Sequence, residues 1–298
     1  MGLSIGGVTI NLELYIRGFY KGSESVFDMG AQDLHVNLGQ FKELLSSAGI
    51  TDYDESAFSV LAEFPQKRMG TEVFYKLLGF KKYLCSDVID RWNSVKIDLN
   101  YPITGDSLLG KYDLVTDYGN NEHVFNIAEA YRTMHRLCKA QGIMIIQQQV
   151  YGGNGYYNFT PHYFEDMAIA NEYEILFSLY EFNNHFIPIG SNIMDIVDKQ
   201  AALKMCYVFR KVKDQDFVFP CQGFITSKLG TGIYKIQYLP ERNVRSYARI
   251  IENFEKDLSW VEILAIFMIL VKKMKSVTNW SEAFGILKGK LRKKLKKQ

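Results

Sequence analysis

The sequence predicts an α/β fold: a sheet of about seven mostly parallel strands flanked by helices, followed by a small helical appendage. Three observations predict it. Between Tyr112 and Gln147 an apolar strand carrying Leu114 and Val115 ends in Asp117-Tyr118-Gly119. A helix then sets Ile127, Ala130, Tyr131, Met134 and Leu137 on one face, and a turn at Gly142 leads into a second buried strand, Ile143 to Ile146. That is a strand-helix-strand crossover with polar residues at the carboxyl end of its first strand, where open parallel sheets bind ligands. Second, Ser25 to Gly30 (SVFDMG) is a short apolar strand stopped by glycine, as the first strand of a doubly wound sheet begins. Third, strand and helix candidates alternate through most of the chain, which favours parallel pairing with helices as crossovers.

The elements follow in order. Leu38 to Leu45 has helical spacing. After a polar stretch rich in Asp, Glu and Ser, Glu72 to Leu78 forms a second helical pattern, with Gly79 as its C-cap. Tyr83-Leu84-Cys85 and Val95-Lys96-Ile97 are compact strands, each followed by an aspartate. Beyond the central crossover, Pro161 to Ala170 reads as a helix, and Glu174 to Tyr180 with Ala202 to Lys211 as a late antiparallel pair. From Asn243 onward the pattern is wholly helical, so residues 1–242 are expected to form the α/β domain and 243–298 the appendage.

The chain has 298 residues, 47% of them hydrophobic, enough to bury a substantial core. A net charge of only +2 gives no global field for nucleic acid. Cys85, Cys138, Cys206 and Cys221 lack C-x-x-C spacing, which fits reduced core thiols in a cytoplasmic compartment and neither a zinc site nor a disulfide framework. The first residues lack the basic and apolar segments of a secretory signal. The longest apolar run, Ile263 to Val271, falls short of the ~20 residues a membrane span needs.

Four motifs together, GAQDL at Gly30 to Leu34, the LGF-to-SD segment, DLN-x-P at Asp98 to Pro102, and YDLV-x-DYG-x-x-EHVFN from Tyr112, resemble class I S-adenosylmethionine-dependent methyltransferases. The likeness is to a bacterial type associated with glycan biosynthesis and covers roughly Ser25 to Tyr180. It implies a Rossmann-like methyltransferase sheet and S-adenosylmethionine as cofactor. It also implies that Asp28, Gly30, Ala31 and Gln32 line the cofactor turn, that Asp87 binds the ribose hydroxyls, that Asp98, Leu99 and Asn100 border the adenine, and that Asp117 and Tyr118 close the pocket. One glycine stands where the common family turn has two or three, and the long insert before Tyr83 replaces a single short helix.

Methyl transfer from a sulfonium is an in-line displacement in which alignment does most of the work, and no metal is required. A hydroxyl acceptor gains from a general base, and a histidine with a pKa near ~6.5 suits that role. His123 is the first candidate, with Glu122 or Asp117 to orient its ring; capping of the following helix is its structural alternative. His162, beside Pro161 at a helix start, is the second. The glycine-punctuated loop with Tyr151, Tyr156, Tyr157 and Asn158 suits a glycan or other small-molecule acceptor, because ring faces stack on apolar surfaces while hydroxyls form hydrogen bonds.

From Trp280 to the end, apolar residues at three- and four-residue intervals and a lysine-rich face describe a basic amphipathic helix able to lie on an anionic membrane surface, or to pack on the main domain. Aromatics are not interleaved with its basic residues, which argues against nucleic acid. Two rivals to the enzyme remain: a methyltransferase-shaped binding protein that has lost catalysis and serves a membrane-proximal assembly, and a nicotinamide-dependent oxidoreductase. The second requires a G-x-G-x-x-G turn, which Gly30-Ala31-Gln32-Asp33-Leu34-His35 does not supply.

Overall fold

The computed structural model describes residues 2–182, 184–189 and 203–220. Cys221, the helical segment expected from Asn243 and its basic tail lie outside the described residues.

Elements run in the order β1 (Gly2–Ser4), α1 (Ile5–Ile16), β2 (Ser25–Asp28), β3 (Asp33–His35), α2 (Leu38–Ser47), α3 (Glu72–Leu77), β4 (Lys82–Asp87) and β5 (Val95–Lys96). Then follow β6 (Tyr112–Tyr118), α4 (Ile127–Leu137), β7 (Cys138–Tyr151), α5 (Pro161–Ala170), β8 (Glu174–Phe182), β9 (His185–Pro188) and β10 (Leu203–Arg210). Eight strands form one sheet in the order β5-β4-β2-β6-β7-β10-β8-β9. The first five are parallel; β10 is antiparallel to both β7 and β8, and β9 to β8. The expected architecture, a mostly parallel sheet with flanking helices and a late antiparallel pair, is the one observed.

Local chemistry explains the elements. Asn37 accepts a hydrogen bond from the Gln40 amide while the Gln40 side chain accepts one from Asn37 N–H, a reciprocal cap that starts α2. Gly79, at φ +96°, ends the α3 segment. Tyr131, Met134 and Leu137 of α4, with Phe164 and Met167 of α5, are buried against Phe27, Val115, Met144, Ile146, Met205 and Tyr207 on one sheet face. Each such side chain contributes about 1.5–3 kcal/mol by leaving water. The other face meets α1 and α3: Asn11 Nδ2 donates to Tyr118 Oη, Tyr20 Oη donates to Asn11 Oδ1, and Tyr75 stacks on Tyr83.

Three features depart from the sequence reading. The amino-terminal residues form β1 and α1, and β1 pairs in parallel with β3 in the register Gly2↔Asp33 to Ser4↔His35. A small second sheet, which the sequence reading did not include, therefore stands between the turn after β2 and the expected helix α2. The second strand of the central crossover starts at Cys138, and Gly142 lies inside it; Gln141, at φ 65°, absorbs the irregularity while its N–H donates to Lys211 O. The insert before β4 contains a 3₁₀ helix, Glu55–Glu63. No helix among the described residues is long and apolar enough to cross a membrane.

Candidate functional site

The parallel strands deliver their polar residues to one edge of the sheet. At the end of β2, Asp28 is wholly buried. Thr71 Oγ1 (2.5 Å), Tyr83 Oη (2.9 Å) and Thr116 Oγ1 donate to its carboxylate. Burial pushes its pKa up to about 6, against the opposing pull of those hydroxyls. Asp28 thus ties the start of α3, β4 and β6 together beneath the edge.

The next residue but one is Gly30, at φ +111°. A Cβ there would lie 2.5 Å from Asn120 Oδ1, so only glycine lets the turn after β2 approach the loop after β6. Ala31 N–H donates to Asp87 Oδ2 (3.3 Å), joining the ends of β2 and β4. Gln32 is buried, its amide donating to Met29 O (3.3 Å). Asp87 is half-buried, and its other oxygen accepts from Val88 and Ile89 N–H (2.7 and 3.2 Å). Beyond β5, exposed Asp98 caps Asn100, and Leu99 is buried. Asn100 accepts from Asn126 N–H through Oδ1 and from Asn126 Nδ2 through its carbonyl, both at 2.9 Å, which clasps the loop after β5 to the start of α4.

At the end of β6, Asp117 Oδ1 accepts from Asn120 and Asn121 N–H (3.0 and 3.1 Å), and Oδ2 accepts from Gln148 Nε2. Burial raises its pKa to about 7. Tyr118 points to the opposite face, under α1, as strand alternation requires. Glu122 is buried; Oε2 accepts from Gln149 N–H (3.1 Å), and Oε1 lies 3.7 Å from Nε2 of half-buried His123. Burial raises the Glu122 pKa and lowers that of His123, so the imidazole is neutral at pH 7.

The loop after β7 is bound to this segment. Tyr156 N–H donates to Glu122 O (2.8 Å), Tyr157 Oη donates to Phe125 O (2.5 Å), and Gly155 passes so near that a Cβ would lie 2.7 Å from Glu122 O. Phe125 and Tyr156, 74% and 69% exposed, meet edge to face with ring centroids 5.8 Å apart. Asn158 is exposed in the same loop, and Tyr151, which the sequence reading put in that loop, is the half-buried last residue of β7. His162 lies apart, exposed on the first turn of α5 with Nδ1 3.3 Å from Glu165 Oε2.

The fold therefore brings Gly30, Ala31 and Asp87 together, and separately Glu122, His123, Tyr156 and Tyr157; Tyr118 and His162 join neither group. Sequence reasoning missed Asn120, which fills the space over Gly30, and Phe125 and Asn126, which shape the rim. It also missed Gln148 and Gln149. A run of three glutamines closing an apolar strand was the legible signal for that pair. Among the described residues no cluster of three or more His, Cys, Asp or Glu is arranged to hold a metal.

No protein-family model matches the chain, and no curated protein matches it. Solved structures do. The Burkholderia thailandensis 1,6-didemethyltoxoflavin-N1-methyltransferase, with bound 1,6-didemethyltoxoflavin and S-adenosylhomocysteine, aligns at 13% identity and TM-score 0.36 over 68% of this chain and 78% of its own. A SAM-dependent methyltransferase from Archaeoglobus fulgidus aligns at 14% identity and TM-score 0.35, covering 68% and 93% of the two chains. An S-adenosylmethionine-dependent methyltransferase from Mesorhizobium loti aligns at 11% identity and TM-score 0.36, covering 65% and 95%.

Proposed function

We propose that the chain is an S-adenosylmethionine-dependent methyltransferase that binds its cofactor at the carboxyl ends of β2, β4 and β6 and methylates a hydroxyl of a glycan precursor or related small molecule. One observation carries the reading. Gln32 Oε1, Ser86 Oγ, Asn121 Nδ2, Gln148 Oε1 and Gln149 Oε1 are buried at or just beyond the ends of β2, β4, β6 and β7 and have no hydrogen-bond partner among the described residues. Each such atom costs roughly 1–3 kcal/mol, and several along one sheet edge fit a ligand rich in hydroxyl, amine and carboxylate groups. Asn120 stands over Gly30, but among the described residues its side chain is held by a single long, 3.4 Å bond to Asn121, so it yields readily.

Gly30, Ala31 and Gln32 would hold the cofactor's amino-acid end beside Asp28 and Asp117, Asp87 its ribose, and Asp98 to Asn100 its adenine, as the family resemblance implies. Bound there, it supplies a methyl group on a sulfonium, open to in-line attack by a nucleophile. His123, neutral at pH 7, accepts the acceptor hydroxyl's proton, and Glu122 sits beside the ring to stabilise the imidazolium that results. Phe125 and Tyr156 offer ring faces for the apolar side of the acceptor, and Tyr157 and Asn158 adjoin them.

A second reading, a methyltransferase-shaped binding protein without catalysis, is favoured by the Asn120 side chain over Gly30 and by a cleft at the opposite, amino-terminal edge of the strands. Calorimetry with S-adenosylhomocysteine separates the two. Micromolar, one-to-one binding that Asp87→Ala weakens supports the enzyme; absence of binding at millimolar ligand supports the binding protein.

A further inference from the structure

The opposite, amino-terminal edge of the same strands carries a cleft of about 310 Å³. Ser25 opens β2, Lys82 opens β4, Tyr112 opens β6 just after Lys111, and Lys139 is the second residue of β7, so parallel pairing gathers their side chains at one place. Leu84 and Tyr112 supply apolar lining, the latter buried with its ring edge-on to Phe27.

Charge around this cleft is unbalanced. Glu24 is engaged by Lys81 (2.5 Å), and Asp113 by Lys139 Nζ (2.8 Å), by Ser25 Oγ (2.6 Å) and by the N–H groups of Glu24 and Ser25 (both 3.0 Å). Both carboxylates are therefore committed. Lys82 and Lys111 are exposed at the rim, and neither makes an ion pair among the described residues. Lys81, Lys82, Lys111 and Lys139 against Glu24, which feels both Lys81 and Lys82, and Asp113 leave two positive charges in excess, a site for a dianion; one carboxylate would leave charge uncompensated.

We propose that this cleft binds a phosphate monoester carried on a small apolar or planar body, with Lys82 and Lys111 on the phosphate oxygens, Lys139 held by Asp113 as a supporting charge, and Leu84 and Tyr112 against the apolar part. Lysine serves such a role as a point charge that needs no bidentate geometry. The volume lies at the lower end of small-molecule sites, about 300–1,000 Å³. The site stands on the face opposite the proposed methyl-transfer edge and does not depend on that activity.

The test uses the full chain and phenyl phosphate as probe, titrated by calorimetry at low salt, with vesicles of phosphatidic acid and of phosphatidylcholine as parallel arms. Saturable one-site binding of phenyl phosphate, weakened about tenfold or more in Lys82→Ala/Lys111→Ala and unchanged in Lys67→Ala, supports a free phosphorylated ligand. Binding confined to phosphatidic acid vesicles, with the same dependence on the two lysines, supports a lipid source for the same headgroup chemistry. No binding in either arm, or equal binding by the double variant, overturns the proposal. Lys67, on the exposed surface and paired with Glu63, reports non-specific attraction. All three substituted lysines are exposed, so the variants retain the folded core.

Discussion

Replacing Asp117 by asparagine is expected to make the protein more stable at neutral pH and to leave it unchanged in acid. Asp117 is wholly buried, and burial lifts its pKa to about 7 against the pull of two backbone N–H groups and Gln148. In the unfolded chain an aspartate titrates near ~3.9. The folded state therefore holds this proton more tightly than the unfolded state does. The stabilisation is complete below about pH 4 and is lost as pH rises through about 7, at 1.36 kcal/mol per pH unit, or about 4 kcal/mol in all. Asparagine carries no charge, and its Oδ1 still accepts from Asn120 and Asn121 N–H. Its amide would face Gln148 Nε2, and a flip of the Gln148 amide presents Oε1, which has no hydrogen-bond partner among the described residues. Asp28, pushed up to about 6, titrates in both proteins and cancels in the difference. Urea unfolding of the two proteins from pH 4 to 8, followed by circular dichroism, measures the gap. It should open from near zero toward about 4 kcal/mol in favour of the variant. A gap that stays constant with pH would refute the assignment of a protonated, buried carboxyl.

Other consequences bear on the proposed site. Asn120→Ala clears the space over Gly30 and is expected to tighten S-adenosylhomocysteine binding, whereas Gly30→Ala sets a methyl group 2.5 Å from Asn120 Oδ1 at φ +111° and should abolish it, as calorimetry would record. His123→Ala should cut turnover by about 10²–10⁴ with cofactor affinity retained. Because burial lowers the His123 pKa, the acid limb of the native pH–rate profile should fall below the ordinary histidine range; an acid limb above it excludes His123 as the base. Gly155→Ala drives a Cβ into Glu122 O and should cost roughly 1–3 kcal/mol in chemical unfolding while exposing the loop to limited proteolysis.

Much of the frame was legible because it rests on local periodicity. The helix at Pro161–Ala170 appears with its expected bounds, since proline suits the first turn and the apolar residues that follow pack on the sheet. The α4 face was legible for the same reason: Ile127, Ala130, Tyr131, Met134 and Leu137 recur at helical spacing. Asp28, Asp87 and Asp117 could be placed at strand ends, because an apolar run stopped by an acid has one natural position in a parallel sheet. Their uses could not be read. Three residues distant in sequence, Thr71, Tyr83 and Thr116, consume the Asp28 carboxylate, and no pattern in the chain announces that meeting. The pairing of β1 with β3 was equally silent, since three residues are too few to carry a period.

Amino-acid order alone therefore settled most of the central strands and the helices that follow them, and which strand ends carry polar groups, because burial periodicity is written residue by residue along the chain. Only folding decided that Asn120 fills the space over Gly30, that Tyr118 turns away beneath α1, and that lysines at the starts of β4, β6 and β7 converge on one cleft. Those outcomes depend on distances between residues tens of positions apart, and strand register is what sets such distances.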